Sequence, residues 1–259
     1  MSGPVFTLAL RLRTASTVSA AVGMAAVIVF VGALFPSVGD AIGRLDVPAG
    51  VAELLGGADY STITGWMRSE IGAVYGPLVV SAIAITAAAA LAGDEEDGIL
   101  ALELAHPVLR ARLVLARAGA VAAGVVIVTL GTFVGLVAGT AVAGGGIATA
   151  HVLGYALHLA AFGLGVGALA LALAATTGRR AVALGGATAV TVLGFLVNGL
   201  APFVHGLGWT RHVSPFSYYA GHDPLAHGAD AGDLAVLVGV ALVLTAVAAV
   251  ALGRRDLRS

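Results

Sequence analysis

With 59% hydrophobic residues, only 10% charged residues and a mean hydropathy of +1.02, this 259-residue chain has too little polar surface to clothe a soluble globule, which would carry about a quarter charged residues. Its net charge of −1 gives no basis for a nucleic-acid partner, and the lack of cysteine removes disulfides, thiolate metal sites and iron–sulfur clusters. All 13 basic residues are arginine, so a P-loop, whose lysine must reach the β- and γ-phosphates, is excluded from this chain.

A helix needs about 20 mostly apolar residues to cross a hydrocarbon core of ~30 Å. Windows of that kind fall at 16–36, 71–93, 118–142, 150–175, 181–202 and 234–253, which predicts an all-α membrane protein of six transmembrane helices in a single domain over residues 1–259. Ahead of the first window, PVFTLALRLRTAS sets Val5, Leu8, Ala9 and Leu12 on one helical face beside Arg11 and Arg13. That pattern suits a short helix lying on the membrane surface. The first window comes too late, and lacks the small-residue cleavage site, for a removed signal peptide. Between the first two windows, residues 37–70 are expected to form a solvated cap, with a weak helical pattern through Val51, Leu54, Leu55 and Ala58.

The next connector, 93–117, gathers Asp94, Glu95, Glu96, Asp97, Glu103, Arg110, Arg112 and Arg117 between two apolar runs. Its middle, GILALELAH, is rich in strong helix formers. The acids before it would complement the positive end of that helix, although four exceed what a cap requires. Pro107 ends or bends the helix, and VLRARLVLAR leads into the third span.

In the third span Gly131, Gly135 and Gly139 recur four apart on one face, a spacing that lets helix backbones approach closely. Packing inside one subunit is the preferred explanation over a contact between subunits. His151 and His158 share a face of the fourth span, where local hydrogen bonding is preferred over a proton relay. Asn198 in the fifth span reads as polar glue. Before the sixth span lie His205, His212, His222 and His227 with Asp223, Asp230 and Asp233, but no tight histidine pair, so no metal site is expected.

Orientation follows from the arginines. An inward N-terminus puts ten of them on inner segments and leaves Arg44, Arg68 and Arg211 outside, so both termini are read as cytoplasmic. Trp66, Tyr75, Trp209, Phe216, Tyr218 and Tyr219 then fall near the outer ends of spans, where amphipathic rings favour the interface. No acidic or basic residue lies deep in a predicted span, which argues against an ion-coupled carrier.

The connector's Gly93, Glu95, Glu96, Gly98, Leu100, Leu104, Pro107, Val108 and Arg110, with Arg117 beyond, resemble the pattern of ABC type-2 permeases. So do Ser214, Pro215, Phe216, Tyr218 and Tyr219 followed by Asp223, Pro224 and Leu225, and the closing Arg254, Arg255, Asp256 and Leu257. The resemblance implies an ABC type-2 exporter permease-like fold with cytoplasmic termini in a bacterial plasma membrane, to which the lysine-free, Ala- and Gly-rich composition also points. It implies a cytoplasmic coupling helix between spans two and three, with Glu95, Glu96, Gly98, Pro107 and Arg110 contacting a separate ATPase subunit. It also implies an outer lid before span six, made by Ser214, Pro215, Phe216, Tyr218 and Tyr219. The expected partners are two copies of the ATPase, which would bind ATP and Mg, a second permease subunit, identical or related, and the lipid bilayer. No cofactor and no catalytic residue is expected in this chain. The function implied is ATP-driven export of an amphipathic or lipid-like molecule or drug. The alternatives are a membrane anchor that assembles other proteins through the acidic connector, and an ion-coupled secondary carrier.

Overall fold

The computed structural model describes residues 3–43, 61–104, 109–200, 209 and 213–255, and among these the backbone is helical with short turns and no strand. Helix α1 (Gly3–Gly43) is followed by α2 (Ile63–Met67), a π-helical segment (Arg68–Tyr75) and α3 (Gly76–Glu96), which run on as one rod. Then come α4 (Ile99–Leu104), α5 (Arg110–Val142), α6 (Thr149–Thr177), α7 (Arg180–Leu200), two short helices α8 (Pro215–Ala220) and α9 (Pro224–His227), and α10 (Ala231–Arg254). Six of these stretches are long and apolar enough to cross a membrane, and the chain is a multi-pass membrane protein.

Two boundaries differ from the sequence reading. The N-terminal segment is not a separate surface helix: α1 continues without a break from Gly3 through its apolar stretch Thr14–Ser37. The second span begins at Ile63 rather than near 71, because Thr62 caps it, its Oγ1 accepting the Gly65 N–H at 3.1 Å. Arg68 and Glu70, which looked like loop residues, lie inside this rod. The proposed cap pattern through Val51, Leu54, Leu55 and Ala58 lies outside the described residues.

Helix α6 is the centre of the bundle, packing against α3, α5, α7 and α10. Of its most apolar window 67% is buried, against 11% for α7, so α7 stands at the margin with its apolar side uncovered. Helix α1 leans on α5 through the glycine stripe. A Cβ on Gly131 would come 2.5 Å from the Ala21 carbonyl oxygen, and one on Gly139 would come 2.8 Å from that of Ile28. A Cβ on Gly135 would lie 2.8 Å from Ala25 Cα, so the three glycines meet the α1 backbone directly. Trp66 fastens the same helix from the other side, its indole N–H donating to the Val31 carbonyl at 3.1 Å. Within the spans, the hydroxyls of Thr129, Thr132, Thr140, Thr191 and Thr245 donate to the carbonyl four residues earlier, at 2.8–3.0 Å. They are thereby satisfied where no water is at hand.

Candidate functional site

The acidic connector lies at one end of the bundle, and it is built differently from the sequence expectation. Asp94, Glu95 and Glu96 form the last turn of α3, and α4 starts only at Ile99. Gly98, at φ +74°, closes that turn in the left-handed conformation a glycine tolerates, its N–H donating to the Glu95 carbonyl at 3.1 Å. Carboxylates at a helix C-terminus oppose the helix dipole, and here arginines compensate them. Arg117, itself buried, reaches Asp94 at 2.5 Å and Glu103 at 3.3 Å. Arg255, just past α10, pairs with Glu95, whose side chain is only 2% exposed, and its Nε–H donates to the Ala175 carbonyl of α6 at 3.1 Å. Glu96 is exposed at the surface but accepts the Arg180 N–H at 2.9 Å, capping the start of α7 from another helix. Arg110 donates to the carbonyls of Leu252 at 3.2 Å and Arg255 at 2.6 Å, satisfying the end of α10. The ends of α3, α5, α6, α7 and α10 are thus tied into one knot of charge.

The candidate coupling positions therefore separate. Glu95, Glu96 and Arg110 hold internal partners, Gly98 shapes the turn, and Pro107 lies outside the described residues. Exposed beside the knot are Asp97, Gly98, Ile99 and Ala101. Gly178 belongs to the knot and was not singled out in the sequence. It ends α6 at φ +60°, and a Cβ there would strike the Arg255 guanidinium and come 2.8 Å from Glu95 Oε1. Its position directly after an apolar run is a recognisable helix-stop signal. The Glu95–Arg255 pairing across 160 positions has no such local signature.

At the opposite end the residues read from the sequence as a lid sit among the spans. Ser214 caps α8, with Pro215 in its first turn, and Ser214 Oγ also donates to the Gly194 carbonyl of α7 at 3.2 Å. Ser217 donates to Asn198 Oδ1 at 2.9 Å, so Asn198 binds the lid to the fifth span. Phe216 is buried edge-on against Phe162 of α6 and Phe195 of α7, at ring separations of 4.7 and 5.6 Å. Tyr218 is half-buried. Tyr219 is buried, and its hydroxyl donates to the Gly72 carbonyl at 2.8 Å while lying 2.9 Å from the hydroxyl of Tyr155. Tyr155 in turn lies 3.3 Å from the Ile71 carbonyl. Both carbonyls belong to the π-helical segment, whose widened turn presents main-chain oxygens to side chains. Burial raises the Tyr219 hydroxyl well above its ordinary pKa, which keeps it a neutral donor.

The turn after α8 carries two further ties. Asp223, a non-glycine residue at φ 49°, accepts from Arg68 at 2.8 Å and so joins the lid to the second span. His222 Nδ1 lies 2.6 Å from Asp233 Oδ2 at the start of α10. Its hydrogen bond to Asp233, then the charges of Asp233 and Asp230, raise the His222 pKa from its ordinary value. Asp230 is held below its ordinary value first by the Asp233 N–H it accepts.

Between these ends, α3, α7 and Phe216 enclose a cavity of about 230 Å³ that is almost wholly apolar. Its walls include Leu78, Ile85, Val192 and Phe195, and its polar contacts are limited to Ser81, Thr188 and Thr191. The Ser81 hydroxyl is buried and has no hydrogen-bond partner among the described residues. Exposed Leu78 and Val192 leave the cavity open along the side of the bundle.

The family model described as "Multidrug efflux system permease Rv1217c, C-terminal domain" matches residues 1–252. No curated protein and no solved structure matches the chain.

Proposed function

The chain belongs to that multidrug efflux permease family, and from this premise we propose that it is the membrane-spanning subunit of an ATP-driven exporter of the ABC type-2 class. The observation that carries the reading is the family match over residues 1–252, which covers all six spans and marks the chain as a membrane permease of an efflux system. The absence of lysine places any ATP-binding P-loop outside these 259 residues. Two copies of that ATPase, holding ATP and Mg, would act on two permease subunits, and this chain would supply the path and the coupling. The ten-to-three arginine bias supports a cytoplasmic knot and cytoplasmic termini in a bacterial plasma membrane, with the lid on the outer face.

Coupling, in this reading, divides into a docking surface and a transmission. Asp97, Gly98, Ile99 and Ala101 are exposed and meet the ATPase, while Glu95, Glu96 and Arg110, already engaged with the chain's own groups, pass the push to the ends of the spans. The cargo is amphipathic or lipid-like, in keeping with an apolar cavity bearing a few hydroxyls. At about 230 Å³ that cavity is smaller than the roughly 300–1,000 Å³ of drug-sized sites, so a second permease facing the uncovered side of α7 would complete it.

The test is co-purification and ATP-dependent efflux of paired variants. Asp97→Arg with Ile99→Arg should insert and fold normally yet fail to co-purify with the ATPase encoded alongside it. If the pair copurifies and transports like wild type, the docking surface is not here. Transport by this chain alone in proteoliposomes, driven by a proton gradient, would overturn the ATP-driven assignment.

A further inference from the structure

The corner where the lid meets the last span holds a cluster to which the efflux reading gives no task. His222 Nδ1, a carboxylate oxygen of Asp230 and one of Asp233 all lie within 4.8 Å of one another. They come from two places in the chain: His222 from the turn after α8, the two aspartates from the cap and first turn of α10. Asp230 also accepts the Asp233 N–H at 2.8 Å, which fixes the spacing of the two carboxylates.

We propose that His222, Asp230 and Asp233 form a binding site for a divalent cation of the zinc class, which pins the lid to the start of the last span. One imidazole nitrogen and two carboxylate oxygens supply three protein ligands, leaving a fourth position to water. Calcium and magnesium favour all-oxygen shells, whereas an imidazole selects zinc-like ions. Ligand atoms at about 2.0–2.2 Å from zinc in a tetrahedron stand roughly 3.4 Å from one another. The observed separations bracket that value: His222 Nδ1 and Asp233 Oδ2, at 2.6 Å, would part slightly, ligand atoms as far apart as 4.8 Å would close, and the His222 side chain, 66% exposed, is free to move. Among the described residues Arg68, which borders the same groove, is already paired with Asp223 at 2.8 Å. An open groove bordered by His222, Asp223, His227 and Asp230 gives the ion its entry.

A second observation points to the same corner. His158 of α6 is fully buried; its Nδ1 lies 2.9 Å from the Gly154 carbonyl, but its Nε2 has no hydrogen-bond partner among the described residues. The loop leading to Asp230 rests on the same helix one turn away, where a Cβ on Gly154 would come 2.5 Å from the Ala229 nitrogen. His158, a buried imidazole with a ring nitrogen unused among the described residues, thus stands on the helix that carries this loop, one turn from the contact. The proposal does not depend on what the permease carries.

The experiment is titration of Zn²⁺ into the chelator-washed, full-length protein in detergent micelles, followed by calorimetry and thermal unfolding. Wild type should bind one Zn²⁺ per chain at micromolar or lower concentration, unfold at a higher temperature when loaded, and keep its ion against millimolar Ca²⁺. His222→Ala and Asp233→Asn should each weaken binding about tenfold or more. Because His222 is exposed, its variant folds whatever happens to Asp233→Asn. Failure of wild type to bind one equivalent saturably, or equal binding by the His222→Ala variant, overturns the proposal.

Discussion

The two ends of the bundle solve the same problem with opposite chemistry. The end holding the connector ties the helices together with ions: Glu95 with Arg255, Asp94 and Glu103 with Arg117, and Glu96 on the α7 N–H groups. The lid end relies mainly on neutral groups, with Tyr219 on a π-helical carbonyl, Ser217 on Asn198, and an aromatic wedge of Phe216 among Phe162 and Phe195. An ion knot resists partial opening, because separating one pair strands a charge in a poorly hydrated place. Neutral hydrogen bonds and ring contacts can be remade one at a time at modest cost. The contrast teaches that the connector end should come apart as a unit, and the opposite end by steps.

The largest effect is expected at the knot. Arg255→Ala takes the paired arginine away from the buried Glu95 carboxylate and should cost about 3–5 kcal/mol, seen as a large fall in the unfolding midpoint in micelles. Glu95→Leu combined with Arg255→Leu should recover much of that loss, since no buried charge remains. A double variant as unstable as the single one would show that the pair is not what holds this end. Gly178→Ala tests the same place from below. It adds backbone strain of roughly 1–2 kcal/mol and pushes on the Arg255–Glu95 pair, so its cost should shrink in the Leu–Leu background. At the lid end Tyr219→Phe leaves the Gly72 carbonyl without its donor, at about 1–3 kcal/mol. It should loosen the lid, measured as faster hydrogen exchange over residues 215–220, without moving exchange at the knot.

How much of this was legible depends on the range of the cause. The six spans could be read because each is a long apolar run that water cannot tolerate, and the structure returns six such helices. The lid positions Ser214, Pro215, Phe216, Tyr218 and Tyr219 were visible as a pattern, but not that Tyr219 reaches Gly72. The early start of the second span was hidden because Arg68 looks aqueous until Asp223 supplies it a partner from 155 positions away. The acids were assigned to the wrong helix end for a related reason. Four carboxylates before GILALELAH fit a helix start, and only the distant Arg255, the Arg180 N–H and Arg117 make them tolerable at a helix finish. The π-helical segment had no local signal, since its widened turn is held by Tyr155 and Tyr219 from other elements.

The smallest effect sharpens the comparison most finely, because it concerns the ion pair that sits at the neutral end. Arg68 and Asp223 meet at 2.8 Å, but their side chains are 31% and 16% exposed, against 2% for Glu95 at the knot. A pair with that access to water is worth about 0–1 kcal/mol and is weakened by salt. Asp223 also holds a left-handed backbone at φ 49°, a conformation asparagine accepts nearly as well. Asp223→Asn therefore removes the charge while sparing the backbone, and should lower stability by less than about 1 kcal/mol. Raising the salt concentration should erase the difference between this variant and wild type. The same salt series should leave the penalty of Arg255→Ala unchanged, because water and ions do not reach Glu95. A salt-insensitive loss of several kcal/mol for Asp223→Asn would mean that the lid end, too, is held by a buried ion pair, and the division between the two ends would fail.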